Sequence, residues 1–232
     1  MSYLYRIKYK KNGSLRFISH LDLNSLWRRV LLRAEIPVEL SEGFNPRMKV
    51  SFGPALPLGL EGWQEIMELS LIEPLISEVL IDKINKAAPS GFKVIEVKPI
   101  FSQKEKISLG KLLKGFSYLV YLRFQNTILK SKKRAIQDRI ELFINDLLKQ
   151  KEIIIAAKTK KGITELDLRP FIQEINIICR SDSRLIIRLI LSMEQGRSLN
   201  PRLIIGKLLT GLEESVIIEK IVREKFLIDS TA

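Results

Sequence analysis

The sequence predicts an α+β fold of two ferredoxin-like (β-α-β-β-α-β) lobes with antiparallel sheets. Strand-like and helix-like segments follow one another in a similar order in the two halves of the chain. Apolar residues make up 46% of the 232 positions, which is enough to bury a substantial core. We assign residues 1–100 to an N-terminal lobe, 101–115 to a connector and 116–232 to a C-terminal lobe.

The beginning of the first lobe carries clear local signals. Apolar and basic residues alternate at 3–10, and the Asn-Gly pair at 12–13 predicts a hairpin turn to a strand at 15–18. A helix follows, because Ser19 and Asp22 form a capping box. One face of this helix is predicted to be buried, because its apolar residues recur at helical spacing: Leu23, Leu26, Trp27, Val30, Leu31 and Ala34.

A loop rich in Gly and Pro, residues 41–59, separates this helix from the rest of the lobe. A strand, a helix and a strand then complete the lobe, at 65–72, 74–88 and 92–99. The second lobe is predicted to contain strands at 116–125, 152–158, 174–180, 184–193 and 215–227 and helices at 131–149 and 200–211.

The chain has one cysteine, Cys179, and one histidine, His20. This count excludes, within one chain, zinc sites built from Cys and His, iron–sulfur clusters, disulfides and Cys–His nucleophilic pairs. Cys179 lies in a strand-like run, which predicts a small buried thiol. We therefore expect no metal on this chain.

The charge of the chain points to a polyanionic partner. Lys and Arg total 39 against 26 Asp and Glu, a net charge of +13 that is spread over both halves. Such an excess attracts nucleic acid, and basic clusters would contact phosphates without reading sequence. The predicted RNA contacts are Arg16, Arg28, Arg29, Arg33, Lys132, Lys133, Arg134, Lys160 and Lys161. Solvated helix ends and a charged hairpin tip are the alternative for each cluster.

The loop at 41–59 is a second candidate site. Its backbone N–H groups and polar side chains can approach a phosphate, and an aromatic ring can stack on a base. The residues concerned are Ser41, Phe44, Asn45 and Ser51. The alternative is that Gly and Pro only turn the chain, while Phe44 and Phe52 fill the core.

Two carboxylates are candidates for catalysis. Asp22 follows His20 by two positions, but residues two apart on a helix do not face one another, so capping accounts for Asp22. We interpret His20 as a substrate-contacting or structural residue. Asp167 and Arg169 are either a structural pair or, respectively, a nucleophile of the pseudouridine-synthase kind and a substrate contact. We expect no catalysis by this chain alone.

Several motifs resemble one bacterial family. They are Leu15-Arg-Phe-Ile-Ser-His-Leu-Asp-Leu23, Arg33-Ala34, Pro37, Ser41-Glu-Gly-Phe-Asn-Pro46 and Ser51-Phe-Gly-Pro-Ala-Leu-Pro-Leu-Gly59. These motifs are similar to those of the radical SAM-linked proteins, a family of unknown function encoded beside, or fused to, a B12-binding-type radical SAM protein. The likeness is specific at 15–59 and weaker in the second half of the chain.

Together, the charge and the resemblance predict an RNA-binding accessory protein that presents ribosomal or transfer RNA to a separate radical SAM partner. SAM, an iron–sulfur cluster and cobalamin are then expected in the partner, with no cofactor on this chain. Two alternatives remain: a stand-alone RNA-modifying enzyme that uses Asp22 or Asp167, and a structural factor in ribosome assembly. We expect a cytoplasmic protein without a membrane span, because the chain contains no run of about 18 apolar residues.

Overall fold

The computed structural model describes residues 2–101, 112–125, 128–159 and 162–228. The chain divides into two compact units. Unit 1 comprises Met1–Leu113 together with Arg223–Ala232, and unit 2 comprises Lys114–Val222. Unit 2 is therefore inserted into the sequence of unit 1, which resumes at Arg223.

Unit 1 contains an antiparallel sheet and two helices. Its elements are β1 (Tyr3–Lys11), α1 (His20–Arg33), β2 (Val50–Phe52), β3 (Glu61–Leu71), α2 (Ser77–Ala87) and β4 (Phe92–Ile100). β1 lies between β3 and β4, so that Ile7 pairs with Met67 on one side and with Val97 on the other. β2 pairs with the opposite edge of β3. The order of these strands is therefore β2-β3-β1-β4, and each of these pairings is antiparallel.

Both helices pack against this sheet in one core. The predicted apolar face of α1 is confirmed, because all six of its residues are buried. Trp27 is fully buried, with its ring centroid 5.2 Å from that of Tyr9 and 4.8 Å from that of Phe92. The capping box is also confirmed, because Ser19 Oγ accepts from the Asp22 N–H and the Asp22 carboxylate accepts from the Ser19 N–H.

The predicted strand at 15–18 is wrong, because the chain there forms a 3-10 turn over Gly13–Phe17. Both edges of β1 are already paired, so no edge remains for a hairpin partner. The Asn12 N–H instead donates to Gly91 O at 2.8 Å. Gly13 has a φ of +62° and donates its N–H to the Glu61 carboxylate at 3.2 Å. The chain is therefore directed toward α1 rather than back along β1.

Unit 2 and the strand that follows it are also α+β. The elements are β5 (Leu113–Phe124), α3 (Lys130–Lys149), β6 (Ile154–Thr159), β7 (Gly162–Asp167), β8 (Ile172–Arg180), β9 (Arg184–Glu194), β10 (Arg197–Ser198), α4 (Pro201–Leu208) and β11 (Val216–Ile228). β9 pairs with β5, β8 and β10, while β6 and β7 form a separate hairpin. The first part of β11 belongs to unit 2, where β11 lies beside β5.

The predicted burial of Cys179 is wrong, because its thiol is exposed near the end of β8. The pairing of β8 with β9 shifts register between Ile177 and Cys179. Such an irregularity interrupts the alternation of inward and outward side chains. Ile178, Cys179 and Arg180 are consequently all exposed.

The described residues contain neither a candidate membrane-spanning helix nor a candidate metal site. No helix there is long and apolar enough to cross a bilayer. In the same ranges, no three His, Cys, Asp or Glu side chains come together in a way that could hold a metal ion.

Candidate functional site

The outer face of α1 carries three of the predicted arginines. Arg28, Arg29 and Arg33 are exposed, and none forms a salt bridge within the part of the chain that the structure describes. Their position follows from the sequence, since the apolar residues of α1 occupy the opposite face. Three cationic groups are therefore available to an anionic ligand.

Asp22 lies near Arg29 but is engaged in capping. The Ser19 hydroxyl donates to its carboxylate at 2.7 Å, and the Ser19 backbone N–H does so at 3.2 Å. These two hydrogen bonds, with a smaller contribution from the charge of Arg29, hold the pKa of Asp22 below its usual range. A carboxylate that stays ionised and is used by the helix end is suited to a structural role rather than to acid catalysis.

The beginning of α1 meets the second half of the Gly/Pro loop, residues 52–59, which we call the return segment. The His20 ring lies edge-on to the Phe52 ring, with centroids 5.7 Å apart. The Gly59 N–H donates to Arg16 O at 2.7 Å. The structure thus brings the predicted residues Arg16 and His20 together with the loop.

The first half of the loop forms a closed turn at residues 41–47, which we call the tip. The Ser41 N–H donates to Arg47 O at 2.7 Å, and the Arg47 N–H donates to Ser41 Oγ at 3.0 Å. Gly43 has a φ of +112°, a conformation that favours glycine. Ser41 therefore closes the tip, and the phosphate contact predicted for it stays a prediction.

The side chains of the tip point into solvent. Phe44 is fully exposed, so the alternative that it fills the core is wrong. Phe52 is half-buried against His20. The other predicted polar residues of the loop, Asn45 and Ser51, are exposed as well. The loop thus presents one aromatic ring and two polar side chains that a ligand can reach.

A buried ion pair lies under the return segment. Arg223 is 1% exposed and Glu65 is 4% exposed. Arg223 Nε donates to Glu65 Oε1 at 2.8 Å, while its Nη2 donates both to Glu65 Oε2 and to Pro54 O, the latter at 2.8 Å. The ring of Phe226 lies 4.7 Å from the guanidinium carbon. The pair therefore connects β11, which carries Arg223, with β3, which carries Glu65. Through Pro54 O it also holds the return segment.

Two further residues of β1 lie close to this pair. Lys11 is buried, and its Nζ donates to Ile18 O, directly before the cap of α1, at 3.1 Å. Burial lowers the pKa of Lys11, although the charge of Glu65 opposes this effect. Burial raises the pKa of the Tyr9 hydroxyl, and Glu65 adds to this shift. The buried polar groups of unit 1 therefore lie directly beneath the beginning of α1 and the return segment.

Sequence reasoning missed the Arg223–Glu65 pair, whose members are 158 positions apart. One signal was available for each residue. Glu65 lies directly before two buried apolar residues of β3, and Arg223 follows two buried apolar residues of β11. A charged residue within an apolar run is rarely buried unless it is paired. Each of these two residues therefore indicated a partner of opposite charge.

The predicted basic cluster of unit 2 lies at the beginning of α3. Lys132 and Arg134 are exposed and Lys133 is half-buried. Leu129 precedes the helix without a capping side-chain bond, and the first turn has no acidic residue. Lys130 pairs with Asp182 at 2.8 Å. The remaining predicted pair, Lys160 and Lys161, lies outside the described residues.

Asp167 and Arg169 have structural roles in this fold. Asp167 Oδ1 accepts from the Ile153 N–H at 2.7 Å and from the Arg169 N–H at 2.9 Å. The Arg169 guanidinium donates to Gln150 O at 3.1 Å and to Ile172 O at 2.9 Å. It therefore satisfies a carbonyl just past the end of α3. This geometry gives no support to Asp167 as a nucleophile or to Arg169 as an RNA contact.

Comparison with solved structures finds distant similarity. The chain is similar to a chain of a Cbf5-Nop10-Gar1 complex, at 12% identity and a TM-score of 0.51, over 96% of this chain and 48% of that one. A chain of the archaeal box H/ACA sRNP Nop10-Cbf5 complex matches at 11% identity and a TM-score of 0.45, over 96% and 47%. The present chain thus spans about half the length of these two chains, and the first likeness concerns the fold alone.

Comparison with protein sequences gives a clearer result. No curated protein matches the chain. The sequence profile of one bacterial family, DUF2344, matches residues 4–201. This range contains α1, the Gly/Pro loop and most of unit 2. Because the match covers most of the chain, the protein belongs to DUF2344, a family described as uncharacterized proteins conserved in bacteria.

Proposed function

We propose that this protein binds RNA and presents it to a separate protein that carries out the chemistry. The observation that carries the proposal is the surface of unit 1, where exposed arginines of α1 and the exposed Phe44 of the tip lie outside a well-packed core. Guanidinium groups contact phosphates, and an exposed ring stacks on an unpaired base. Both features suit a single-stranded or looped part of a structured RNA.

The charge of the whole chain supports this partner. A net charge of +13 concentrates polyanions near the protein, and the arginines of α1 are not neutralised by salt bridges within the described residues. A fold likeness to a chain of the Cbf5-Nop10-Gar1 complex does not by itself indicate RNA binding, because one fold serves many functions. The proposal therefore depends on the surface of this chain.

The partner is proposed to be a radical SAM protein, and the RNA to be ribosomal or transfer RNA. This part rests on the motifs at 15–59 that resemble the radical SAM-linked proteins. SAM, the iron–sulfur cluster and cobalamin would be held by that partner. We also interpret both units as ferredoxin-like lobes, because each has a central pair of strands, β3-β1 and β9-β5, flanked by a strand on either side.

Salt titration of RNA binding tests the proposal. The dissociation constant for a structured RNA should rise at least about tenfold between low and physiological salt, because phosphate contacts release condensed counterions. The R29A/R33A double variant should bind more weakly, with a salt slope reduced by about 2, and should melt like the wild type.

A matched control removes the same charge from another helix of unit 1. Lys83 and Lys86 are exposed on α2, so K83A/K86A lowers the net charge equally. It should change RNA affinity less than R29A/R33A does. Equal losses in the two variants would show that the overall charge, and not the α1 face, is responsible. Absence of salt-dependent binding by the wild type would overturn the RNA proposal.

The partner has its own test. Co-expression with a B12-binding-type radical SAM protein from the same genome should give a complex that elutes together in size-exclusion chromatography. Separate elution of both proteins, with and without RNA, would contradict this part of the proposal and leave RNA binding unaffected.

A further inference from the structure

The Arg223–Glu65 pair needs a physical explanation, because buried ion pairs are poor stabilisers. Removing two charges from water costs much of what their attraction returns, and apolar residues of similar volume often stabilise a core as well or better. The pair is almost completely buried in unit 1. Its presence therefore suggests a task that two apolar side chains could not perform.

The contact with Pro54 identifies that task. Arg223 Nε and Nη2 form the two bonds to Glu65, and Nη2 has a second bond to Pro54 O at 2.8 Å. A guanidinium can form this fork and bind a carbonyl at the same time, because its donors are rigid and planar. An apolar residue at 223 would leave Pro54 O without this donor.

Glycine at position 62 provides the room that the pair requires. A Cβ at Gly62 would lie 2.5 Å from both Cγ and Oε1 of Glu65. Glu65 can therefore fold against the strand only because residue 62 has no side chain. Strand β3 thus accommodates the carboxylate that orients Arg223.

Pro54 lies near the beginning of the return segment. The Gly53 N–H donates to Ile66 O at 2.9 Å, and Gly59 is held by its bond to Arg16 O. Phe52, two residues before Pro54, contacts His20. A displacement at Pro54 would therefore be transmitted to the place where the loop meets the beginning of α1.

We propose that Arg223 is a positioning residue, held by Glu65, that fixes the return segment and thereby shapes the RNA-binding surface of unit 1. This inference rests on the proposed function. Arg223 itself is buried and does not contact the RNA. It acts through the Pro54 carbonyl, and a segment fixed before RNA arrives loses less conformational entropy when it binds.

The test replaces the pair by two apolar residues, R223M/E65M, so that neither member of the pair is left as a buried charge without the other. The matched control is R6M/E68M, which removes an ion pair between β1 and the same strand β3. Hydrogen exchange of peptides covering residues 50–62, read by mass spectrometry, reports the return segment directly. Affinity for the structured RNA reports the binding surface, and a cooperative melting transition shows that each variant folds.

In R223M/E65M we expect a folded protein whose segment 50–62 exchanges about tenfold faster and whose RNA affinity falls about tenfold. R6M/E68M should leave the exchange of this segment and the RNA affinity unchanged. Unchanged exchange in R223M/E65M would overturn the positioning role. Faster exchange with unchanged RNA affinity would overturn the link to RNA.

If R223M/E65M does not fold, R223K provides the second variant, because lysine keeps the charge but cannot reproduce the fork and the carbonyl bond together. The same two readouts apply, with the same interpretation. If the wild type binds no RNA, the proposed function fails, while the exchange measurement still decides whether Arg223 positions the segment.

Discussion

The two units use charge in different ways. In unit 1, Arg223 and Glu65 are buried together and hold a loop. At the beginning of α3 in unit 2, Lys130 forms an ion pair with Asp182. The side chains of these two residues are 84% and 72% exposed. Water and salt screen the second pair but hardly reach the first. The buried charges of unit 1 therefore fix the structure around them. At the surface of unit 2, by contrast, Lys130 can exchange Asp182 for an anionic ligand.

Of the changes considered, removal of Arg223 alone should lower the free energy of unfolding most. R223M leaves the Glu65 carboxylate buried without its partner, and breaking a buried pair in this way costs about 3–5 kcal/mol. Urea denaturation should show this loss in the free energy of unfolding. R223M/E65M should recover most of it. A loss of less than about 1 kcal/mol in R223M would mean that water reaches Glu65 in the folded protein.

Changes at the N-cap positions of α1 and α3 should have the next largest effect on the free energy of unfolding. Ser19 caps α1, and S19A should lower the free energy of unfolding by about 1 kcal/mol. Leu129 precedes α3 without a capping bond, so L129S should raise stability or leave it unchanged. Both changes can be measured by thermal denaturation. Equal destabilisation by the two variants would show that the cap of α1 makes no special contribution.

The capping carboxylate should make part of this contribution depend on pH. The pKa of Asp22 is lowered in the folded protein, so its contribution is present above the unfolded pKa of about 3.9 and is lost as pH falls through the folded value. The wild type should therefore exceed D22N in stability at neutral pH, and this difference should shrink in acid. A difference that grows on acidification would contradict the capping role.

The smallest effect is expected for the exposed pair of unit 2. K130A removes a lysine whose bond to Asp182 lies in solvent, so the melting temperature should stay within experimental error. RNA affinity can be measured on the same sample, since Lys130 adjoins the basic cluster at 132–134. A clear drop in melting temperature would show that the two units do not differ in their use of charge.

Local signals in the sequence were sufficient for α1. Its cap, its buried face and the exposure of Arg29 and Arg33 follow from spacing within about four turns of helix, and the structure confirms them. The strand at 15–18 was wrong for a reason that lies elsewhere in the chain. β1 is paired on both edges by strands more than fifty residues away, and a single sequence does not display such pairings.

The candidate site shows the same division. Helical periodicity placed the arginines of α1 correctly on the outside, whereas the role of Ser41 depends on a bond to Arg47 across the tip. Arg169 likewise donates to the carbonyls of Gln150, just past the end of α3, and of Ile172, at the beginning of β8. A polar residue in a motif can thus serve the fold or a ligand, and the sequence alone does not distinguish the two.

The insertion of unit 2 into unit 1 has a consequence for synthesis of the protein. About 110 residues separate Leu113 from Arg223, so roughly 5–20 s of translation pass between them. The Gly/Pro loop is made before unit 2, but Arg223, whose guanidinium binds Pro54 O, follows the whole of unit 2 in the sequence. A nascent chain therefore lacks the hydrogen bond to Pro54 O until Arg223 has been made, and we expect its RNA-binding surface to mature only after unit 2 has been synthesised.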